Sequence, residues 1–305
     1  MSDQKKIDNL IANARYGKLD KVKELIEEGV SIDGKESRGY DRTALHVATL
    51  SGKIDIMEYL IDKGSDLLVT DAGTYNTLTS VIERIDIDNY ELYRLSKRQQ
   101  RFRNQDENGK YVPGEWVDED RPEKLQENEN RIIEINEVQK KRIDAIKLLL
   151  KKAEEKNVLN DILTQKDYVG LNAIQLSYKG PYEIIQLLLK YGADPKDILH
   201  HRYFAERVDE NVLKLLMENA IKDPNYEPRE NAHQRVKDMF DYYKELKEEK
   251  DKIIDDVAEK NKVPKDVAKQ MKTFIDGSGK RKSRKSKSKK SVKKRLTKRN
   301  KKSKK

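Results

Sequence analysis

The chain contains no cysteine among its 305 residues, which excludes both disulfide bonds and thiolate metal ligands. A chain without disulfides suits a reducing compartment, so we expect an intracellular protein of the cytoplasm or the nucleus. Long hydrophobic runs are also missing. Apolar runs such as Leu148–Leu150 are far shorter than the roughly 20 residues that span a bilayer. The first residues, MSDQKKIDN, form no hydrophobic signal segment, and we expect no membrane association.

Hydrophobic residues are scarce. They make up 35% of the chain, and charged residues make up 39%. An ordinary soluble domain is about 45–50% apolar, with glycine included, and about 25% charged. Two explanations fit this deficit, and we expect both to apply. Part of the chain cannot form a core, and the folded part buries its apolar residues in thin layers.

Residues that could carry out catalysis are few and poorly placed. The chain has only four histidines: His46, His200, His201 and His233. None has a partner at metal-protease spacing, and adjacent histidines of one helix point in different directions. The GSGK sequence at 277–280 lacks the first glycine of a phosphate-binding loop, because that position is Phe274. We expect no catalytic residue, no cofactor site and no metal site, and therefore a protein that is not an enzyme.

Charge is divided unevenly along the chain. Residues 280–305 hold 17 of the 65 Lys and Arg residues and no acid, so the rest carries 48 basic against 55 acidic side chains. A segment of this composition cannot form a core, and we expect residues 277–305 to be disordered. Its runs of Lys and Arg are typical of contacts with a nuclear import receptor or, without sequence specificity, with nucleic acid. The residues assigned to this role are Lys280, Arg281, Lys282, Arg284, Lys285, Lys287, Lys289, Lys290, Lys293, Lys294 and Arg295.

An internal repeat organises the first two thirds of the chain. Residues 43–67, TALHVATLSGKIDIMEYLIDKGSDL, have apolar spacing that predicts two short helices separated by Gly52. The end of this segment, LIDKGSDL, recurs as LIEEGVSI at residues 25–32 and as LLKYGADP at residues 188–195. Repeats of this length indicate a solenoid, in which stacked neighbours complete a core that no single repeat can form.

These residues closely resemble the ankyrin-repeat family. TALHVA matches the family's TPLH segment with Ala44 in place of proline, GLNAIQLS at 170–177 is a weaker copy, and YGADP at 191–195 is nearly ideal. The resemblance implies an all-α solenoid of about five helix-turn-helix repeats that binds another protein and catalyses no reaction. It also implies that His46 ties its turn to neighbouring backbone through a hydrogen bond.

The predicted layout has three parts. The third repeat begins at residue 71, and its second helix is expected only at Arg142–Ala153, which leaves a helical insertion at about 86–140. We expect residues 90–120 to be mobile, because they combine high charge with turn-forming residues. Trp116 lies there, either as an anchor on the array or as a partner contact. The parts are an ankyrin array over 1–222, a helical extension over 223–276, and the basic tail over 277–305.

The resemblance also implies where a partner would bind. In such arrays the loop tips and the exposed ends of the first helices line a concave surface, although at least half of these positions must be merely solvated. Tyrosine and arginine are enriched at binding hot spots. We name nine candidate residues the partner ladder: Arg15, Tyr16, Tyr40, Arg42, Leu50, Tyr75, Tyr168, Leu171 and Lys179.

Three functions remain open from the sequence. We favour a scaffold or adaptor, active as a monomer, that binds a protein partner. The first alternative is a nuclear or nucleic-acid-associated protein that acts through its tail. The second is a substrate receptor for a ubiquitin ligase that docks through the extension. The composition, rich in Lys, Ile and Asp, resembles ankyrin proteins of large DNA viruses and giant viruses, which implies action inside a host cell.

Overall fold

The computed structural model of the protein describes residues 2–103 and 121–275. Fourteen α-helices and one short 3-10 helix are found in these two ranges, and no strand occurs there, which confirms the all-α class. Residues 104–120 of the segment expected to be mobile, with Trp116, and the basic tail lie outside the described residues. No helix in the described part is long and apolar enough to cross a membrane.

The helices form pairs, each with an inner helix followed by an outer helix. The pairs are α1 (Asp3–Tyr16) with α2 (Leu19–Glu27), α3 (Ala44–Leu50) with α4 (Ile54–Asp62), α5 (Thr77–Arg103) with α6 (Arg121–Glu155), and α8 (Ala173–Leu176, continued by the 3-10 helix Ser177–Lys179) with α9 (Tyr182–Lys190). A further helix, α7 (Leu159–Thr164), precedes the fourth pair. The remaining helices are α10 (Lys196–Leu199), α11 (Arg202–Arg207), α12 (Glu210–Ala220), α13 (Gln234–Lys260) and α14 (Lys265–Ile275).

The core is a thin layer between the inner and outer helices. The inner helices pack in series from α1 through α3 and α5 to α8, and the outer helices from α2 through α4 to α6. In α4, the spacing of Ile56, Met57, Leu60 and Ile61 places four fully buried side chains on one face. Each such side chain contributes about 1.5–3 kcal/mol when it leaves water. Stacking therefore supplies the burial that a single pair lacks.

The third pair is the largest departure from the repeat. Its inner helix does not end after the buried Ile85 but continues to Arg103, and its outer helix begins at Arg121, well before the predicted start at Arg142. The residues predicted as the outer helix, 142–153, form the C-terminal part of α6. Residues 90–103, part of the segment expected to be mobile, belong to α5, and their mobility stays a prediction.

Polar pairs hold the extended parts of α5 and α6 together. Arg131 Nε donates to the Glu91 carboxylate at 2.9 Å, and Gln139 Nε2 donates to Asn89 Oδ1 at 2.8 Å. Apolar burial is sparse in this part, where Ile135 on α6 is a buried aliphatic side chain with 4% exposure. The extended parts of α5 and α6 therefore depend on hydrogen bonds more than the other helix pairs do.

By its internal contacts the chain divides into two compact units. The first comprises Met1–Ile221 with Glu227–Phe240, and within it Arg235 Nη1 donates to the carbonyl oxygens of Glu206 and Val208 at 3.0 and 3.2 Å. The second contains Lys222–Tyr226 and the chain from Asp241 onward. In its described part, Lys272 on α14 donates to Asp255 on α13 at 2.6 Å. The predicted division at residues 222 and 276 stays a prediction.

Candidate protein-binding surface

Three loops of similar construction precede the inner helices α3, α5 and α8, and the third of them follows the short helix α7. In each loop one backbone N–H donates across the loop to a carbonyl oxygen, with donor-to-acceptor distances of 3.0, 2.9 and 2.9 Å. The donor and acceptor residues are Glu36 and Arg42, Asp71 and Tyr75, and Asp167 and Leu171. Arg42, Tyr75 and Leu171 of the partner ladder therefore occupy the same position in three successive loops.

Aspartate side chains fix the second and third loops. Asp71 Oδ1 accepts from the backbone N–H groups of Gly73 and Tyr75, at 2.9 and 3.1 Å. Asp167 Oδ1 accepts from Val169 and Leu171, at 2.9 and 2.8 Å. Such Asx turns hold the backbone of a loop in one conformation, so these loops are ordered before any partner arrives.

His46 connects the second pair to the next loop. Its Nε2–H donates to the carbonyl oxygen of Tyr75 at 3.3 Å, and its Nδ1 lies 2.9 Å from the Thr43 hydroxyl. Burial lowers the pKa of His46 to about 4, so the ring is neutral at physiological pH. The predicted structural role of this histidine is confirmed by these contacts.

In the fourth pair a glutamine takes the place of His46. Gln175 Nε2 donates to the carbonyl oxygen of Asp197 at 3.0 Å, while Asn172 and Gln175 cap the start of α8 reciprocally. Asn172 Nδ2 also donates to the Asp197 carboxylate at 2.6 Å. The same link between one pair and the following segment is therefore made without histidine, which explains why the GLNAIQLS copy of the motif works.

The loop-tip members of the partner ladder form two aromatic contacts. The Arg42 guanidinium lies 4.6 Å from the ring centroid of Tyr40, and Arg42 also pairs with Asp71 at 3.8 Å. Tyr75 and Tyr168 meet edge to face with their centroids 6.2 Å apart. Tyr40 and Tyr168 are 63% and 70% exposed, although each is a large aromatic residue. The structure thus brings together ladder residues from three loops.

The helix-end members of the partner ladder are more varied. Tyr16 at the end of α1 is 70% exposed, and its neighbour Arg15 pairs with Glu36 of the first loop at 3.4 Å. Leu50 at the end of α3 is partly buried, and Lys179 ends the 3-10 helix in solvent. Arg15 is therefore the helix-end residue that an ion pair joins to the loops.

The comparison with known families agrees with this construction. The family model for ankyrin repeats (3 copies) matches residues 2–71, which comprise the first two helix pairs and the loop between them. Residues 2–71 of this chain are therefore ankyrin repeats. No curated protein matches the chain. Ankyrin repeats are generally protein–protein interaction modules, and proteins of this family are typically not enzymes.

One cluster at the C-terminal end of the ankyrin stack was not found from the sequence. Tyr178 of the 3-10 helix and Tyr203 of α11 place their hydroxyl oxygens 3.4 Å apart, and the guanidinium of Arg207 lies 4.1 Å from the Tyr203 ring. In this part of the sequence, His200 and His201 were considered only as metal ligands, and Tyr203 and Arg207 were not singled out. The pattern YFAER, with an aromatic residue and an arginine four positions apart, was the available signal.

Possible metal ligands are dispersed in the ankyrin stack. Across residues 2–103 and 121–275, no group of three His, Asp or Glu side chains is arranged to hold a metal ion. The acidic side chains on α5 are instead buried or half-buried among the helices. Burial raises the pKa values of Glu83, Asp86 and Asp88 above their usual range, and arginine or lysine neighbours oppose that effect.

Proposed function

We propose that this ankyrin-repeat protein is an adaptor that binds a protein partner through the partner ladder. The observation that carries the proposal is the exposure of Tyr16, Tyr40 and Tyr168 along one series of helix ends and loops. None of these rings is needed by the core, which is built from aliphatic residues between the helices. Tyrosine and arginine supply most of the binding energy at many interfaces.

The order of the loops supports the proposal. A loop that is already held by Asp71 or Asp167 loses little conformational entropy when a partner binds, so more of the contact energy appears as affinity. The loops are also connected to each other, because the Ala72 N–H donates to the Tyr40 carbonyl oxygen at 2.8 Å. A partner therefore meets one continuous edge instead of three independent loops.

The test is capture of binding partners by the full chain and by variants. Tyr40→Ser combined with Tyr168→Ser removes two exposed rings of the ladder, and we expect the specific partner to be lost. Tyr182→Ser combined with Tyr242→Ser removes two exposed tyrosines outside the ladder and should leave capture unchanged. Equal capture by both double variants would contradict the proposal. Circular dichroism and thermal unfolding confirm that each variant is folded.

A second candidate function belongs to the basic tail. The observation that favours it is the run of 17 Lys and Arg residues without an acid over residues 280–305, which suits an import receptor or a polyanion. A fluorescent fusion of the full chain should be nuclear, and deletion of 277–305 should move it to the cytoplasm. Grafting Lys280–Lys285 onto an unrelated cytoplasmic protein should be sufficient for import. A location that ignores both changes would contradict the import role.

The proposal also covers the oligomeric state, the catalytic inactivity and the location of the protein. We propose a monomeric, non-enzymatic protein that acts inside cells and, from the resemblance of its composition to ankyrin proteins of large DNA viruses and giant viruses, inside an infected host cell. The ubiquitin-ligase alternative would place the ligase on the extension at 223–276. Co-purification of ligase subunits with the full chain, and their loss when α14 is deleted, would favour that alternative over a simple adaptor.

A further inference from the structure

Four side chains form an exposed aromatic and cationic cluster near the C-terminal end of the ankyrin stack. We call this group the tyrosine cluster. It combines the 3-10 helix that ends the fourth inner helix with helix α11 of the segment that follows. Its members are Tyr178, Lys179, Tyr203 and Arg207. Lys179 is also a member of the partner ladder, so the cluster extends the ladder beyond the last loop.

The rings of the tyrosine cluster are held in place from below. Phe204, only 2% exposed, packs against Tyr178 and Tyr203 with centroid distances of 4.9 and 5.4 Å. His201 lies 4.6 Å from Phe204 and 6.5 Å from Tyr203, measured between ring centroids. The two tyrosine rings also meet each other at 6.1 Å. The cluster is therefore a fixed platform, and Tyr203 nevertheless remains 45% exposed.

Two cations flank the paired hydroxyl groups. Lys179 Nζ lies 5.1 Å from the Tyr178 ring centroid, and Arg207 stacks on Tyr203. The hydrogen bond from Tyr178, together with the charges of Lys179 and Arg207, lowers the pKa of Tyr203 below its usual range. The nearest acids lie at the margin: Glu206 pairs with Arg207 at 3.2 Å, and Asp86 on α5 faces Lys179.

The hydrogen-bonding capacity of this platform is mainly that of a donor. Lysine and arginine can only donate, and a hydroxyl pair that shares one internal hydrogen bond retains one O–H for an outside acceptor. A donor group beside two cations is complementary to a carboxylate, and charge-assisted hydrogen bonds are stronger than neutral ones. The aromatic faces add contact area for the aliphatic part of the same side chain.

We infer that the tyrosine cluster is the subsite of the partner ladder that receives an acidic side chain, aspartate or glutamate, from a bound peptide segment of the partner. This inference rests on the proposed binding function. The carboxylate lies at the paired hydroxyl groups between Lys179 and Arg207, and the adjoining residues of the segment continue toward the loops. The occupant follows from charge complementarity. The cluster supplies two cations, and Glu206, the acid that pairs with Arg207, is an exposed side chain that an incoming carboxylate can displace.

The experiment uses the full chain and a displayed library of random peptides as the probe. Enriched peptides are synthesised, and their affinities are measured by fluorescence anisotropy at physiological salt. We expect the enriched peptides to share an aspartate or glutamate at one position. Lys179→Glu with Arg207→Glu should weaken these peptides about tenfold or more, since hydrogen bonds to charged groups contribute about 1.5–3 kcal/mol. Tyr203→Phe, which keeps the ring on Phe204, should weaken them several-fold.

The matched control is Lys151→Glu with Lys190→Glu, which makes the same change in net charge at exposed positions of α6 and α9. This variant should bind the peptides as the unchanged chain does. Acidic peptides held only by the basic tail would ignore both double variants, and that outcome overturns the inference, as does enrichment of peptides without acids or of none. If the enriched peptides depend on Tyr40 and Tyr168 but not on the cluster, the proposed function stands and this inference falls.

Discussion

Arg142 donates through Nε to the carbonyl oxygen of Leu50, at 2.7 Å, across 92 positions of sequence. The same guanidinium pairs through Nη1 with the carboxylate of Asp88, which is 3% exposed. Arg84 approaches the other oxygen of that carboxylate at 3.2 Å. Arg142 on α6 thus donates to a carbonyl group at the end of α3 and compensates the charge of a buried acid on α5. These contacts join the third helix pair to the second.

The first prediction concerns this arginine. Arg142→Met keeps much of the aliphatic stem but leaves Asp88 with less compensation in a buried position, so we expect a loss of about 3–5 kcal/mol of unfolding free energy. Combining it with Asp88→Leu removes the stranded charge, and the double variant should regain a large part of that loss. Urea unfolding measures both values. A double variant less stable than Arg142→Met alone would show that the Asp88 charge is not the cause.

The second prediction concerns Gly52, which the structure requires for two reasons. Its φ of +63° is a conformation that favours glycine, and a Cβ there would lie 2.5 Å from the Cβ of Lys141 on α6. Gly52→Ala should therefore combine backbone strain with overpacking and cost about 2–5 kcal/mol. Gly64→Ala is the control. Gly64 has φ +100° with open space around it, so strain alone applies. Equal losses from the two variants in urea unfolding would contradict the close approach of α6.

The sequence was sufficient for features that depend on local spacing. Helices such as α4 follow from the positions of four apolar residues, and the match of TALHVA placed His46 correctly. Long-range relationships could not be predicted in this way. Nothing local to Arg142 indicates Leu50 as its acceptor, and the continuation of α5 through residues 90–103 depends on α6 lying beside it. Tyrosine and arginine in α11 became a cluster only through contact with Tyr178.

The third prediction concerns the basic tail and rests on counterion release. A segment with 17 cations and no acid will attract polyanions, and neutralising about six phosphates should reduce affinity about 10³-fold between 50 and 200 mM salt. The tail has no aromatic residue for base stacking, so we expect little preference among sequences. Deleting 277–305 should abolish binding to DNA in a filter or anisotropy assay. Salt-sensitive binding that survives the deletion would place the site elsewhere in the chain.

The last prediction concerns pH and His46. The pKa of this ring is about 4 in the folded protein because it is buried, against an ordinary value of 6.5. Between these values the unfolded chain binds the extra proton, so stability is fully present above pH 6.5 and is lost as the pH falls toward 4. From pH 7 to pH 5 the histidine should account for about 2 kcal/mol of lost stability. His46→Gln removes the titration and supplies the group that Gln175 uses at the equivalent position. In urea unfolding this variant should lose less stability over the same range, by about that amount. Identical pH dependence in the two proteins would mean that the His46 ring takes up its proton in the folded state as readily as in the unfolded chain.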